Sequence, residues 1–298
     1  MVSLSQIISL IKKNPTLLLI DAEKNLLPKF EFFHSKGFTD SDLAKVFSAN
    51  PRILNRSLDA CIIPNFNFVD ELMRSCDGDK KAVIAFEHFV PIFHLSLVSL
   101  LALNLQLLYE CGVPKSNVLS ALATHSISLA SDHGSVKSVV DKVKKMGFDP
   151  STLSFVNAVQ VFLGMSKSLW ERKLNLCKEW GWSDEEIWSA FRKFPRFILI
   201  SERKLMELMK FNVNEMAGKY QVFAHRPQLM HSSLEKRVFP RCLVLNYLLS
   251  KGLIKEDFSV QRVLTASENK FLQQFVIPYQ DPHLSKLYAE KIGLPIPK

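Results

Sequence analysis

Basic side chains recur at fixed offsets from a series of prolines. With Pro15, Pro51, Pro195 and Pro227 as origins, Arg52 and Arg196 stand one residue after the proline, and Lys24, Lys204 and Lys236 stand nine after it. A second proline follows thirteen residues after the first at Pro28, Pro64 and Pro240, and Lys29 and Arg241 come directly after two of these. Arg192, Lys193, Arg203, Arg226 and Arg237 thicken the series in the C-terminal half. Residues 192–241 hold eleven Lys and Arg against four acids, Glu202, Glu207, Glu215 and Glu235. Cations repeated in register suit one chemistry above others, the neutralisation of regularly spaced phosphates with release of counterions. The competing reading is ordinary solvated charge at helix ends, where the last-turn dipole favours cations.

Catalysis finds little support. The chain has no G-x-x-x-x-G-K-[ST] loop, no G-x-G-x-x-G and no H-E-x-x-H, and Gly164-Met165-Ser166-Lys167-Ser168 lacks the last glycine of G-x-S-x-G. His88 and His94 lie in the most apolar stretch and read as hydrogen-bonded core residues. Glu185-Glu186 reads as a helix first turn. The five cysteines are at least 15 residues apart and form no C-x-x-C pair, which argues against zinc and disulfides and for a reducing compartment. The expectation is a non-enzyme with no cofactor, no metal and no small-molecule substrate.

Of 298 residues, 47% are hydrophobic and 22% charged, which excludes a mainly disordered chain. The net charge of +9 is uneven: residues 1–150 carry 16 basic and 15 acidic side chains, the rest 22 and 14. Such a bias favours a polyanionic partner. His88 to Tyr109 carries no Asp, Glu, Lys or Arg, but Pro91, Asn104 and Gln106 suit buried helices better than a membrane span. Met1 to Ile20 is interrupted by Lys12 and Lys13, so no targeting segment is visible there.

The elements that would hold the cations repeat. Each first proline precedes an apolar pair and is followed six residues later by a helix-capping type, at Asp21, Ser57, Ser201 and Ser233. Gly37, Gly112, Gly147, Gly181 and Gly252 are each followed by an apolar residue and suit left-handed helix C-caps, with Gly218 filling the 71-residue gap. Leu43, Val46 and Phe47, and likewise Ile187, Phe191 and Phe194, follow helical spacing, and Ser183 with Glu186 predicts a capping box. Asp149-Pro150 predicts a cap and first helical residue. Pro28, Pro64 and Pro240 are expected to start helices rather than kink them. Trp170, Leu174 and Cys177 share a face, which makes Trp170 core rather than a base-stacking platform. Stacked repeats complete each other's cores. The pattern therefore predicts an all-α superhelical solenoid, right-handed or similar, of two-helix-plus-short-turn repeats of about 35 residues, over 1–270, with a helical cap and tail at 271–298. Pro15 closes a repeat whose helices would lie before Met1, which suggests a truncated or alternatively started chain.

Leu27-Pro28-Lys29-Phe30-Glu31-Phe32-Phe33, Ser35-Lys36-Gly37-Phe38, Asn50-Pro51-Arg52-Ile53-Leu54, the run Trp180 to Ile187, Phe191-Arg192-Lys193-Phe194-Pro195, the run Ser233 to Arg241, and Leu249 to Leu253 together resemble the plant form of the mitochondrial transcription termination factor (mTERF) family. The resemblance covers Lys13 to about Tyr288. It implies a monomeric helical superhelix that binds double-stranded DNA, or structured RNA, along a basic face. It also implies a role in transcription termination or transcript maturation in a mitochondrion, or alternatively a chloroplast. On that reading the contacts are Lys24, Lys29, Arg52, Arg192, Lys193, Arg196, Arg203, Lys204, Arg226, Lys236, Arg237 and Arg241. The alternative is a helical-repeat scaffold for an acidic protein.

Overall fold

The computed structural model describes residues 4–74, 98–215, 221–254 and 260–292, and every regular element among them is helical. The chain divides into two compact units, 1–164 and 165–298. The first contains α1 (Leu4–Lys13), α2 (Leu27–Ser35), α3 (Asp40–Ala49), α4 (Ile63–Arg74), α5 (Val98–Glu110), α6 (Lys115–Leu129), α7 (His133–Lys145) and α8 (Leu153–Gly164). The second contains α9 (Lys167–Glu179), α10 (Asp184–Lys193), α11 (Glu202–Glu215), α12 (Gln221–His225), α13 (Phe239–Ser250), α14 (Val260–Thr265), α15 (Glu268–Phe275) and α16 (Pro282–Ile292). Short 3-10 turns run over Pro15–Leu19, Pro51–Asn55, Pro195–Leu199 and Pro227–His231, each opened by one of the first prolines.

The glycine punctuation is borne out. Gly37, Gly112, Gly147, Gly181 and Gly252 all adopt positive φ, between 66° and 87°. At each, the following apolar residue donates its N–H back across the helix end, as Trp182 does to the Cys177 carbonyl at 3.1 Å. The predicted capping box of Ser183 and Glu186 forms, and Thr39 with Asp42 makes a second. Gly218 lies outside the described residues.

The second prolines behave in an unforeseen way. Asp21, Ser57 and Ser233 cap their helices as expected, but the chain then makes one wide π-type turn before Pro28, Pro64 and Pro240. The Leu27 N–H reaches the Ala22 carbonyl, five residues back. The wide turn moves carbonyls away from a ring that cannot donate to them, so the proline is carried near the start of the α-helical part without breaking the rod. Where Leu208 replaces the proline, α11 is α-helical throughout. Two expectations need correction. α8 begins at Leu153, because Asp149 accepts from Ser151 in a preceding turn and Thr152 receives the Phe155 N–H. The repeat closed by Pro15 has a helix within the chain, α1, which packs on α3.

Apolar burial holds each unit. Phe33, Leu43, Phe47, Ile53 and Phe66 are buried in the first, with Phe33 edge-on to Phe38 and Phe47. Val244, Leu245, Leu248, Phe271, Leu284 and Tyr288 form a core that ties α13 to α15 and α16. Each such side chain contributes about 1.5–3 kcal/mol relative to exposure. Trp182 is buried, and Trp170 packs against Trp188 and Phe191 at 5.9 and 5.0 Å. No described helix is long and apolar enough to cross a membrane; residues 88–97 of the apolar run lie outside the described part.

Candidate nucleic-acid interface

Two of the twelve expected contacts, Lys29 and Arg241, are buried, and half-buried Arg237 is engaged by the same recurring device. Lys29, in the first turn of α2, is 3% exposed and gives its ammonium to the Leu54 carbonyl at 2.5 Å and to the Asn25 side chain. Arg241, in the first turn of α13, is fully buried. Its guanidinium donates to the carbonyls of Val263 and Ala266 at 2.8 and 2.7 Å and pairs with Glu268 at 2.9 Å. Arg237 adds hydrogen bonds to Leu264 at 3.1 Å and Ala266 at 2.6 Å. These cations satisfy carbonyls that a short helix or 3-10 turn leaves without partners, so they belong to the packing between repeats.

Two residues that sequence reasoning did not single out complete the pattern. Lys173 of α9, 4% exposed, donates to Ile198 and Ile200, both at 2.6 Å. Asn104 of α5, fully buried, donates to Leu129 and Ser131, both at 2.8 Å, and accepts from His133 Nδ1 at 2.8 Å. In all four cases a first acceptor or a close one lies 25 residues downstream: Lys29 to Leu54, Asn104 to Leu129, Lys173 to Ile198, Arg241 to Ala266. Burial pushes the Lys29 and Lys173 ammonium groups below their ordinary range. The recurring spacing is a signal available in the sequence, although Lys and Asn in exchange at one position hide it.

The other predicted cations stay accessible. Lys24 and Arg52 are exposed in the first unit. In the second unit Arg192 and Lys193 are exposed in the last turn of α10, where they complement its dipole. Arg226 is exposed at the start of the 3-10 turn Pro227–His231 and Lys236 in the wide turn Leu234–Val238, and Arg203 is exposed but paired with Glu207 at 3.3 Å. Arg196 and Lys204 are half-buried.

The stacked 3-10 turns of the second unit gather part of this set. His231 Nε2 lies 2.8 Å from the Arg196 carbonyl, and its ring stands edge-on to Phe194 at 5.2 Å. Burial first, and then the positive charges of Lys204 and Arg196, hold the imidazole below its ordinary pKa, against the hydrogen bond to the Arg196 carbonyl, which raises it. Burial also lowers the Arg196 and Lys204 values. The first unit joins the same two positions by a different bond: Asn55, at the place of His231, donates to the side-chain hydroxyl of Thr16, at the place of Arg196, at 3.0 Å. His231 was missed because its role depends on a neighbour 35 residues away.

The comparisons with known proteins agree with this architecture. The mTERF family model matches residues 2–157 and again residues 101–272. Transcription termination factor MTERF8, chloroplastic, of Arabidopsis thaliana is 22% identical over 267 residues, covering 89% of this chain and 51% of that protein. Transcription termination factor MTERF15, mitochondrial, of the same plant is 22% identical over 263 residues, covering 86% of this chain and 56% of that protein. The chain spans about half the length of the curated relatives it matches. With the family pattern running through nearly all of a chain built from glycine-capped helix pairs and proline-initiated turns, this protein belongs to the mTERF family.

Proposed function

We propose that this chain is a non-enzymatic, monomeric nucleic-acid-binding repeat protein acting in organellar gene expression, at transcription termination or transcript maturation. The observation that carries the reading is the set Arg192, Lys193, Arg196, Arg203, Lys204, Arg226 and Lys236, which remains accessible in the more basic unit after Arg237 and Arg241 are taken into the packing. A cluster of Lys and Arg side chains, which can only donate, on the more basic unit fits phosphate oxygens, in double-stranded DNA or structured RNA. The names of the two relatives, both transcription termination factors, one chloroplastic and one mitochondrial, support the biological setting and leave mitochondrion and chloroplast as the two choices.

If about six phosphates are neutralised, log K falls against log salt with a slope of about −5. Replacing Arg192, Lys193, Arg226 and Lys236 together by Gln should weaken binding to duplex DNA and duplex RNA and flatten that slope by about 3, with the unfolding midpoint unchanged. Unaltered affinity and slope would remove this surface from the reading. Arg241 is unsuitable for the test, because changing it strips the Val263 carbonyl of its donor.

A further inference from the structure

The cations of the second unit offer only donors, but the group set among them does not. His231 Nε2 faces the Arg196 carbonyl at 2.8 Å. A carbonyl oxygen can only accept, so Nε2 carries the proton, and in the neutral ring Nδ1 is left as an acceptor. Among the described residues Nδ1 meets no hydrogen-bond partner, and the ring is exposed, so solvent or a ligand can reach it. Edge-on contact with Phe194 fixes the ring plane, and the Arg196 bond fixes which edge is turned inward. The neighbouring positive charges of Arg196 and Lys204 oppose a second proton on the ring.

A lone acceptor beside phosphate-binding cations is out of place for a ligand made only of phosphate oxygens, since two acceptors repel. It fits a ligand that carries a hydroxyl next to its phosphate. Ribose does so through its 2′-OH, one carbon from the phosphate-bearing 3′ oxygen, whereas deoxyribose presents C–H at the same place. Base amino groups are also donors, but in a duplex they lie in the grooves, further from the phosphates that Arg196 and Lys204 would hold. We propose that His231 accepts a hydrogen bond from a ribose 2′-hydroxyl, so that the site formed by Arg196, Lys204 and His231 selects RNA over DNA. This rests on the reading of the same surface as a phosphate-binding face.

The test compares affinities of the full chain for duplex RNA, the same RNA with 2′-O-methyl sugars, and duplex DNA of the same sequence. His231→Phe keeps a ring against Phe194 and removes the acceptor; His231→Gln keeps an acceptor. Wild type should bind the RNA about five-fold more tightly than the methylated RNA, the yield of one hydrogen bond. His231→Phe should erase that difference without changing the salt slope, and His231→Gln should retain most of it. Equal RNA to methyl-RNA ratios in wild type and His231→Phe, with the tryptophan-reported unfolding midpoints matched, would overturn the proposal. The quadruple Gln variant separates the two readings. Parallel loss for all three ligands together with an unmoved His231→Phe ratio defeats the role of His231 alone. Undiminished binding by the quadruple variant defeats the phosphate face, and the His231 assignment with it.

Discussion

Arg241→Met separates a structural cation from a surface one. Methionine keeps most of the aliphatic bulk and deletes the guanidinium. The substitution strands the Val263 carbonyl, which accepts at 2.8 Å, takes one of two donors from the Ala266 carbonyl, which keeps Arg237 at 2.6 Å, and unpairs Glu268, whose other oxygen accepts from Tyr288 at 2.6 Å. Glu268 is half-exposed and regains water, so the cost sits with the Val263 carbonyl. One stranded buried acceptor costs about 1–3 kcal/mol, which is the expected loss of stability. The assay is urea unfolding followed by tryptophan fluorescence. All four tryptophans, Trp170, Trp180, Trp182 and Trp188, lie in the second unit, so the signal reports the unit that contains the substitution. Arg192→Met, at an exposed position, should move the midpoint by less than about 0.5 kcal/mol. If Arg241→Met is as mild as that control and instead flattens the salt dependence of binding by about 1, Arg241 is a phosphate contact and the packing argument is wrong.

Two further outcomes follow from features of the fold. Gly147 has φ 81° with open space around an added Cβ, so Gly147→Ala should lower stability by about 1–2 kcal/mol through backbone strain alone; a thermal melt by circular dichroism that is superimposable on wild type would refute this. Burial pushes the Cys177 and Cys242 thiols up to about 12, so at pH 8 only roughly one part in ten thousand is thiolate. Iodoacetamide followed by mass spectrometry should therefore modify Cys61 and Cys111, both half-buried, well before either; equal rates would mean that the core opens more readily than its packing implies.

What was legible in the chain is what is decided within a few residues. Ser183 sees Glu186, Asp21 sees Lys24 and Gly181 closes its own helix, so caps and turns followed from residue type and spacing. The direction of a cation is not local. Lys24 and Lys29 are five residues apart, yet one is exposed and the other is buried because a carbonyl 25 residues on is held above it. Lys173 escaped notice for a related reason, since the proline that would have marked its place in register is missing from the central repeats. The wide turns before Pro28, Pro64 and Pro240 were hidden because a proline pattern states which bond is forbidden and not how the chain avoids it.

The tethers of Lys29, Asn104, Lys173 and Arg241 each reach one repeat ahead and grip a rigid backbone rather than a mobile side chain. Each therefore works like a spacer between two planks. Exchanging a four-carbon ammonium for a shorter amide resets the tilt at that joint alone, and the offset grows with distance from it. In such a stack evolution can re-aim a distant surface by editing one interior residue, leaving the ligand-facing side chains themselves untouched.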